Sequence, residues 1–313
     1  MASSLFHIFV FPGFLFLAAF GLIVEFVDRK LYARMQNRMG PPWYQPAADF
    51  IKLAAKKEII PENARASMFK FMPVLALTSV TVAVLYIPTW GAQATFAFSG
   101  DLIVVVYLLT IPTLTFFLGG WYSTSLYSSI GAVRTLTQLF AYEVPLFLAI
   151  LAPAIVAHTW SLSEMAQFYR ENPILTLVHI PGFAVAIVAL QGKLERVPFD
   201  IPEAETEIVG GTFTEYTGRL LALFRMAIDI EMIVGASLLA AVFLPFGFGV
   251  GPIAGFLLYL AKVLFIVAIL ATMRSVLARL RIEQMVDFCW RWVAPVALAQ
   301  ILLSLIVSGV RGS

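Results

Sequence analysis

Long apolar runs separated by short polar stretches set the pattern of this chain. A helix needs about 20 predominantly apolar residues to cross the hydrocarbon core of a bilayer. Eight runs reach that scale: Leu5–Val27, Met68–Pro88, Leu102–Gly120, Leu136–Ala157, Ile174–Leu190, Met226–Leu244, Pro252–Met273 and Cys289–Val310. The pattern predicts an all-α integral membrane protein with about eight transmembrane helices, in which residues 1–313 form a single polytopic membrane domain. Pro73, Pro112, Pro145 and Pro153 interrupt the runs; bundled helices tolerate such prolines, so they mark kinks rather than breaks.

The loops add an orientation. After the first run come Arg29, Lys30, Arg34, Arg38, Lys52, Lys56, Lys57 and Arg65; Arg134 follows the third. Lys193, Arg196, Arg219 and Arg225 follow the fifth, and Arg274, Arg279 and Arg281 the seventh. The other loops hold little beyond Arg170, with Arg311 in the tail. By the positive-inside rule the basic loops face the cytoplasm and both termini the outer side. Residues 28–67 and 191–225 then become cytoplasmic docking loops.

Within the first of these, Ala47, Phe50, Ile51 and Ala54 recur at helical spacing opposite Asp49, Lys52 and Lys56. That spacing predicts an amphipathic helix lying at the membrane surface. Its basic residues suit anionic lipid. The rigid Gly40-Pro41-Pro42 turn beside Trp43 and Tyr44 suits a shaped docking surface for a cytoplasmic partner instead, formed with Arg34, Gln36, Asn37, Arg38 and Lys52.

Composition narrows the chemistry. The residues are 60% hydrophobic and 13% charged, against about 25% charged in soluble domains. A single cysteine, Cys289, and three histidines, His7, His158 and His179, exclude an iron–sulfur cluster or a thiolate zinc site held by this chain alone. The histidines share no helical spacing and read as polar core or interfacial groups. No phosphate loop, nucleophile–histidine pair, metal-ligand cluster or cleavable signal pattern appears. The expectation is a chain that binds no cofactor and no nucleic acid, in a cell membrane.

The ionisable residues that remain are concentrated between Gln191 and Glu231. Asp200, Glu203 and Glu207 fall at i, i+3 and i+7, one stripe of a helix starting there, with Asp200 as N-cap and Glu203 closing a capping box. Glu205 lies off the stripe, and Glu215, Asp229 and Glu231 follow. Capping needs two carboxylates and leaves the others unexplained. Acids beside membrane spans mark ion paths, so this segment reads as the acidic mouth of an ion-transfer route. Glu143 sits inside the fourth run, where a lone carboxylate costs about 2.5–3.5 kcal/mol on insertion scales. It must face the bundle, take up a proton or find a partner. Lys262, inside the seventh run, is a counter-charge or relay group for the acids, and Arg134 stands at the membrane edge. Glu25, near the inner end of the first run, is expected to snorkel to the interface.

Four blocks in one order across nearly the whole chain carry a resemblance. They are QNRMGPPWYQPAADFIKLAAKKEIIPENA, YSSIGAVRTLTQLFAYEV, ERVPFDIPEAETEIVGGTFTEYTG and FLLYLAKVLFIVAILATMRSVLARLRIEQMVDFCWRWVAP. Together they resemble the NuoH-type membrane subunit of respiratory complex I and of the energy-converting hydrogenases. The resemblance implies eight spans and a heel joining a cytoplasmic redox arm to membrane ion-pumping subunits. It implies that Glu143 is the intramembrane acid, that Asp200, Glu203, Glu205, Glu207 and Glu215 form the loop funnel, and that Arg196 is their basic partner. Two positions depart from the pattern. Lys193 stands where an acid is usual, with Glu195 displaced; Ile228 occupies the next acid's place, leaving Asp229 or Glu231 as shifted substitutes.

The first block also lacks a longer insert seen in quinone-reducing versions and looks like the hydrogenase branch. The resemblance therefore implies a non-catalytic anchor and energy-coupling subunit of a ferredoxin-driven hydrogenase or sulfane reductase. Its partners would be hydrogenase-like large and small iron–sulfur subunits carrying the clusters and nickel–iron site, together with antiporter-like membrane subunits and lipid. A quinone-site subunit of a complex I-type dehydrogenase, a stand-alone secondary ion transporter and a purely structural anchor are the alternatives.

Overall fold

A computed structural model describes residues 2–91, 93–247 and 250–312, except the side chains of residues 2, 3, 205, 311 and 312. Every regular element among the described residues is helical. The chain runs α1 (Ala2–Phe9), α2 (Phe14–Met35), α3 (Gln45–Ala55), α4 (Ala66–Ala83), α5 (Asp101–Tyr122), α6 (Leu126–Ala157) and α7 (Leu162–Glu171). It continues with α8 (Pro173–Thr176), α9 (Ile180–Lys193), α10 (Glu205–Ile208), α11 (Gly218–Phe243), α12 (Pro252–Val276), α13 (Ile282–Phe288) and α14 (Ala294–Gly312).

Eight helical stretches among the described residues are long and apolar enough to span a membrane, which bears out the count from hydropathy. Their details differ where backbone chemistry intervenes. The first span is divided into α1 and α2 by a turn at Phe11-Pro12-Gly13, where Pro12 has no amide to donate. The fourth begins at Leu126 rather than Leu136, because the polar residues of the added turns sit at the end of the bundle. The fifth consists of α8, a 3₁₀ turn at Leu177–His179, and α9. The last continues back through a π-turn at Cys289–Val293 into α13. Pro73, Pro112, Pro145 and Pro153 all lie inside continuous helices.

The bundle is built around α11, which is buried along nearly its whole length. From Met232 onward it is apolar on nearly every side, as a buried helix should be, and its ionisable residues lie in the half before that. Its neighbours are α2, α3, α4, α9 and α12. A second, smaller core is aromatic. Phe69 stacks on Tyr216 with ring centroids 4.0 Å apart, and the Tyr216 hydroxyl donates to the Phe69 carbonyl at 3.1 Å. Phe116, Phe213 and Phe224 pack edge-on around them.

That second core holds down the 194–217 connection, which differs from its expected form. No helix starts at Asp200; only the single turn α10 forms, capped by Ala204 without a side-chain bond. Pro202 disfavours helical backbone at Ile201, and the Asp200 carboxylate pairs with Arg279 instead of capping. A 3₁₀ turn, Gly211–Phe213, then inserts between α5 and α6. A Cβ on Gly131 of α6 would lie 2.6 Å from the Thr212 amide nitrogen, and Gly211 itself adopts φ +53. The backbone of this connection is therefore packed into the bundle, not draped over it.

The helix α3 forms where periodicity placed it, but its environment differs. Ile51 points outward, while Asp49 turns inward to an ion pair with Arg29. Its contacts are with α2 and α11, so it roofs a cavity at the basic end of the bundle instead of presenting its whole apolar stripe to lipid.

Candidate functional site

Three ionisable residues near the basic end of α2 begin the site. Glu25, Asp28 and Arg29 share one helical face by their i, i+3 and i+4 spacing. Arg29 donates to Glu25 and, at 3.0 Å, to Asp49 of α3. The Arg196 guanidinium reaches the same face, with Nη1 2.9 Å from Asp28 and Nη2 3.5 Å from Glu25. Arg274 of α12 approaches Asp28 at 3.1 Å and lies over the Tyr32 ring. Asp28 is fully buried between two guanidiniums. Buried charges persist only when paired and hydrogen-bonded, so this network ties α2, α3, α12 and the 194–217 connection into one wall.

Gln138 of α6 fixes the start of that connection. Its amide nitrogen donates to the Gly192 carbonyl at 2.7 Å and to the Phe199 carbonyl at 2.9 Å. Arg196 is thereby aimed at α2. The space enclosed is a cavity of about 1190 Å³ bounded by α2, α3, α9, α11 and α12. More than half of its lining residues are ionisable.

The deepest charged pair of this wall joins α9 to α11. Lys193 Nζ stands 3.4 Å from Glu231 Oε1, and both side chains are only 1% exposed. The ammonium also faces the Tyr142 ring, 5.6 Å from its centroid. The Tyr142 hydroxyl lies 3.0 Å from Thr113 Oγ1 of α5. One residue further, Glu143 accepts a hydrogen bond from Thr110 of α5. Glu143 is half-buried, with exposed Phe140 and Val144 beside it on α6. Its Oε2 is buried with no hydrogen-bond donor, so the carboxylate is enclosed between α5 and α6 beneath that exposed face.

At the mouth, acids and arginines alternate. Asp200 pairs with Arg279 at 3.3 Å, Glu203 with Arg225 at 3.3 Å, and Glu207 with Arg134 at 2.6 Å and Arg279 at 3.5 Å. Their proton affinities diverge. The Arg134 hydrogen bond holds the Glu207 carboxyl below its usual range. Burial lifts Asp200, against the pull of Arg279. Burial lifts Glu195 well above the ordinary glutamate value, and the charges of Glu203 and Glu231 push the same way. Thr135 of α6 and Arg225 oppose that rise.

The expected residues thus part company in the fold. Asp200, Glu203, Asp229, Glu231 and Arg196 converge on the cavity, with Arg134 and Glu207 at its rim. Glu143 stands beyond Tyr142, and Glu215 makes no ion pair among the described residues. The Glu205 side chain lies outside the described residues. Lys262 is not among the residues lining the cavity; its Nζ sits 4.9 Å over the Phe246 ring. Of the docking residues, Arg38, Gly40, Pro41 and Lys52 line the cavity, while Arg34, Gln36, Asn37 and Trp43 are exposed.

Several site residues escaped the sequence reading. Glu25 does not snorkel; it is buried and paired with Arg29 and Arg196. Asp28, Asp49, Arg274 and Arg279 drew no attention as individual groups. The signal for α2 was present in the 25/28/29 spacing at the end of an apolar run, while the arginines needed the three-dimensional fold.

Comparison with known proteins places the chain. The family described as NADH dehydrogenase matches residues 7–305. The chain is 32% identical over 303 residues to an NADH-quinone oxidoreductase subunit of Carboxydothermus hydrogenoformans, covering 93% of this chain and 85% of that protein. It is 33% identical over 311 residues to NADH-quinone oxidoreductase subunit 8 of Thermus thermophilus, with coverage of 93% and 85%. Among solved structures it is similar to a chain of the membrane-bound sulfane sulfur reductase, an archaeal respiratory membrane complex. There the TM-score is 0.84 at 27% identity, covering 93% of this chain and 96% of that one.

Proposed function

This chain belongs to the NADH dehydrogenase family, as a NuoH-like multi-pass membrane subunit of a complex I-related assembly, and from that premise we propose that it couples a redox arm to ion-translocating neighbours. It anchors a ferredoxin-driven arm, a hydrogen-evolving hydrogenase or a sulfane reductase, at the basic end of the bundle. Electrons stay in that arm with its iron–sulfur clusters and metal site; antiporter-like subunits move the ions. The exposed Arg34, Gln36, Asn37, Arg38 and Trp43 provide the docking surface.

One observation carries this reading: polar groups continue from the cavity to a carboxylate enclosed between α5 and α6, one of whose oxygens is buried without a donor. The sequence of groups is Arg196 and Asp229 at the cavity, Lys193 with Glu231, then Tyr142, then Glu143 with Thr110. A buried carboxylate oxygen without a donor is costly, so the exposed surface over Glu143, with Tyr107 and Phe140, is where a membrane partner belongs.

Redox change in the arm alters charge at the mouth. The Asp200, Glu203 and Glu207 ion pairs respond first, and Glu195 and Glu231 relay the change to Glu143. Coupling of this kind requires an element with two arrangements biased from both ends, and the Gln191–Glu231 segment is that element. Its mouth ion pairs, half-exposed and exchangeable, are the part free to rearrange, while the Gly211–Phe213 turn is the hinge held in the bundle.

Glu143→Gln in the purified complex is expected to leave dye-linked turnover of the arm intact and abolish the ion gradient; unchanged pumping removes Glu143 from the route. A second reading has an observation of its own. The cavity is large enough for a small-molecule head group, and pockets of about 300–1,000 Å³ hold drug-sized ligands, which supports a quinone site. Such pockets carry only a few polar groups, whereas paired acids and bases from α2, α3, α9, α11 and α12 line this one among its apolar walls, which favours a hydrated vestibule. Inhibition by quinone-site ligands would reverse that choice.

A further inference from the structure

The pair formed by Lys193 and Glu231 bears on which ion uses the route. Lys193 is buried to 1% exposure, and its ammonium has no polar partner besides Glu231, at 3.4 Å; its other contact is the face of Tyr142. Apart from that ammonium, no donor reaches either Glu231 oxygen. A buried carboxylate with free lone pairs beside an aromatic face offers electron-rich groups suited to a monovalent cation. The place where that cation would sit is taken by a side chain of this protein.

We infer that Lys193 acts as a tethered cation, filling the site at Glu231 and excluding sodium from this subunit's route. Taking the ammonium out of water is costly, and packing alone gives no reason for a lysine here, since a methionine would fill the same space. The charge serves a purpose that an apolar side chain does not. A second cation within a few ångströms of the ammonium meets strong repulsion at low dielectric. Protons pass such a point, because Glu231, Tyr142 and Glu143 each exchange a proton without an ion having to occupy the space. The inference rests on the proposed route only for its relevance to translocation; occupancy of the Glu231 site is a property of the resting protein.

The test compares the melting temperature of the purified complex in sodium chloride and in choline chloride at equal ionic strength. Partner subunits that bind sodium shift every variant alike, so the difference between variants isolates this site. Lys193→Gln is expected to gain a sodium-specific upward shift of about 2–4 °C over the wild type, and Lys193→Gln with Glu231→Gln to lose it. A variant that assembles and shows no such gain overturns the inference. If the single substitution fails to assemble, hydrogen exchange in the wild-type complex decides: residues 224–236 should exchange equally in sodium and choline, and sodium-specific protection there overturns it. Should Glu143→Gln leave pumping intact, the coupling reading falls, while the sodium response of Lys193→Gln still judges the lysine.

Discussion

Substituting Gly131 by alanine tests whether the 194–217 connection is inserted in the bundle. The added Cβ would lie 2.6 Å from the Thr212 nitrogen, 2.7 Å from the Gly211 carbonyl carbon and 2.9 Å from the Gly211 Cα. All three are backbone atoms, so no rotamer change relieves the contact. Reaching ordinary contact near 3.4 Å requires a displacement of about 0.8 Å, and the turn has little freedom to give it. On its far side a substituent at Gly211 would meet the Pro202 carbonyl oxygen at 1.7 Å. Helix propensity favours the alanine by up to about 1 kcal/mol, whereas overpacking costs about 1–3 kcal/mol. The upper end of that range applies here, so the clash outweighs the propensity.

Gly131→Ala should therefore lower the melting temperature of the purified complex and increase hydrogen exchange in residues 203–217. Ion translocation should fall more than dye-linked turnover, because the hinge of the coupling segment has moved. Gly309→Ala on α14 is the control. A Cβ there meets nothing within 4 Å, so it should be neutral or stabilising. A Gly131→Ala complex with wild-type melting, exchange and pumping would refute the insertion.

Two further outcomes follow from the charges of the connection. The Glu207 pairs with Arg134 and Arg279 involve a half-exposed carboxylate, so each is worth at most about 1 kcal/mol and is screened by salt. Because folding lowers the Glu207 pKa, this contribution is present above the unfolded value and lost as pH falls through the folded one. Raising ionic strength, or lowering pH to the carboxylate range, should speed exchange and proteolysis at residues 203–210, and salt-insensitive exchange would argue against the clasp. Glu195 has the opposite sign. Its folded pKa is raised, so its contribution is most favourable below the unfolded value and is lost as pH rises toward the folded one. Glu195→Gln should match the wild type in acid and melt at an equal or higher temperature in mildly alkaline buffer; a lower melting temperature there would contradict burial as the cause.

The chain's hydrophobic rhythm determined its class, its eight spans and the segment where acids are densest, which holds eight of the 19. Those features depend on local composition and on the cost of exposing backbone or charge to hydrocarbon. Glu143, Glu231 and Asp229 stood out for the same reason: an ionisable residue inside an apolar run is conspicuous. Asp28 and Glu25 did not, because they sit where a run meets a basic loop and solvent exposure is the ordinary expectation. Only the tertiary structure turned them inward, by bringing Arg196 and Arg274 from segments about 170 and 250 residues away in sequence. It also left Lys262 outside the cavity that the acids line, and gave Lys193 to Glu231. Which charges meet is set by helix packing over the whole chain, and that long-range pairing has no counterpart in the spacing of neighbouring residues.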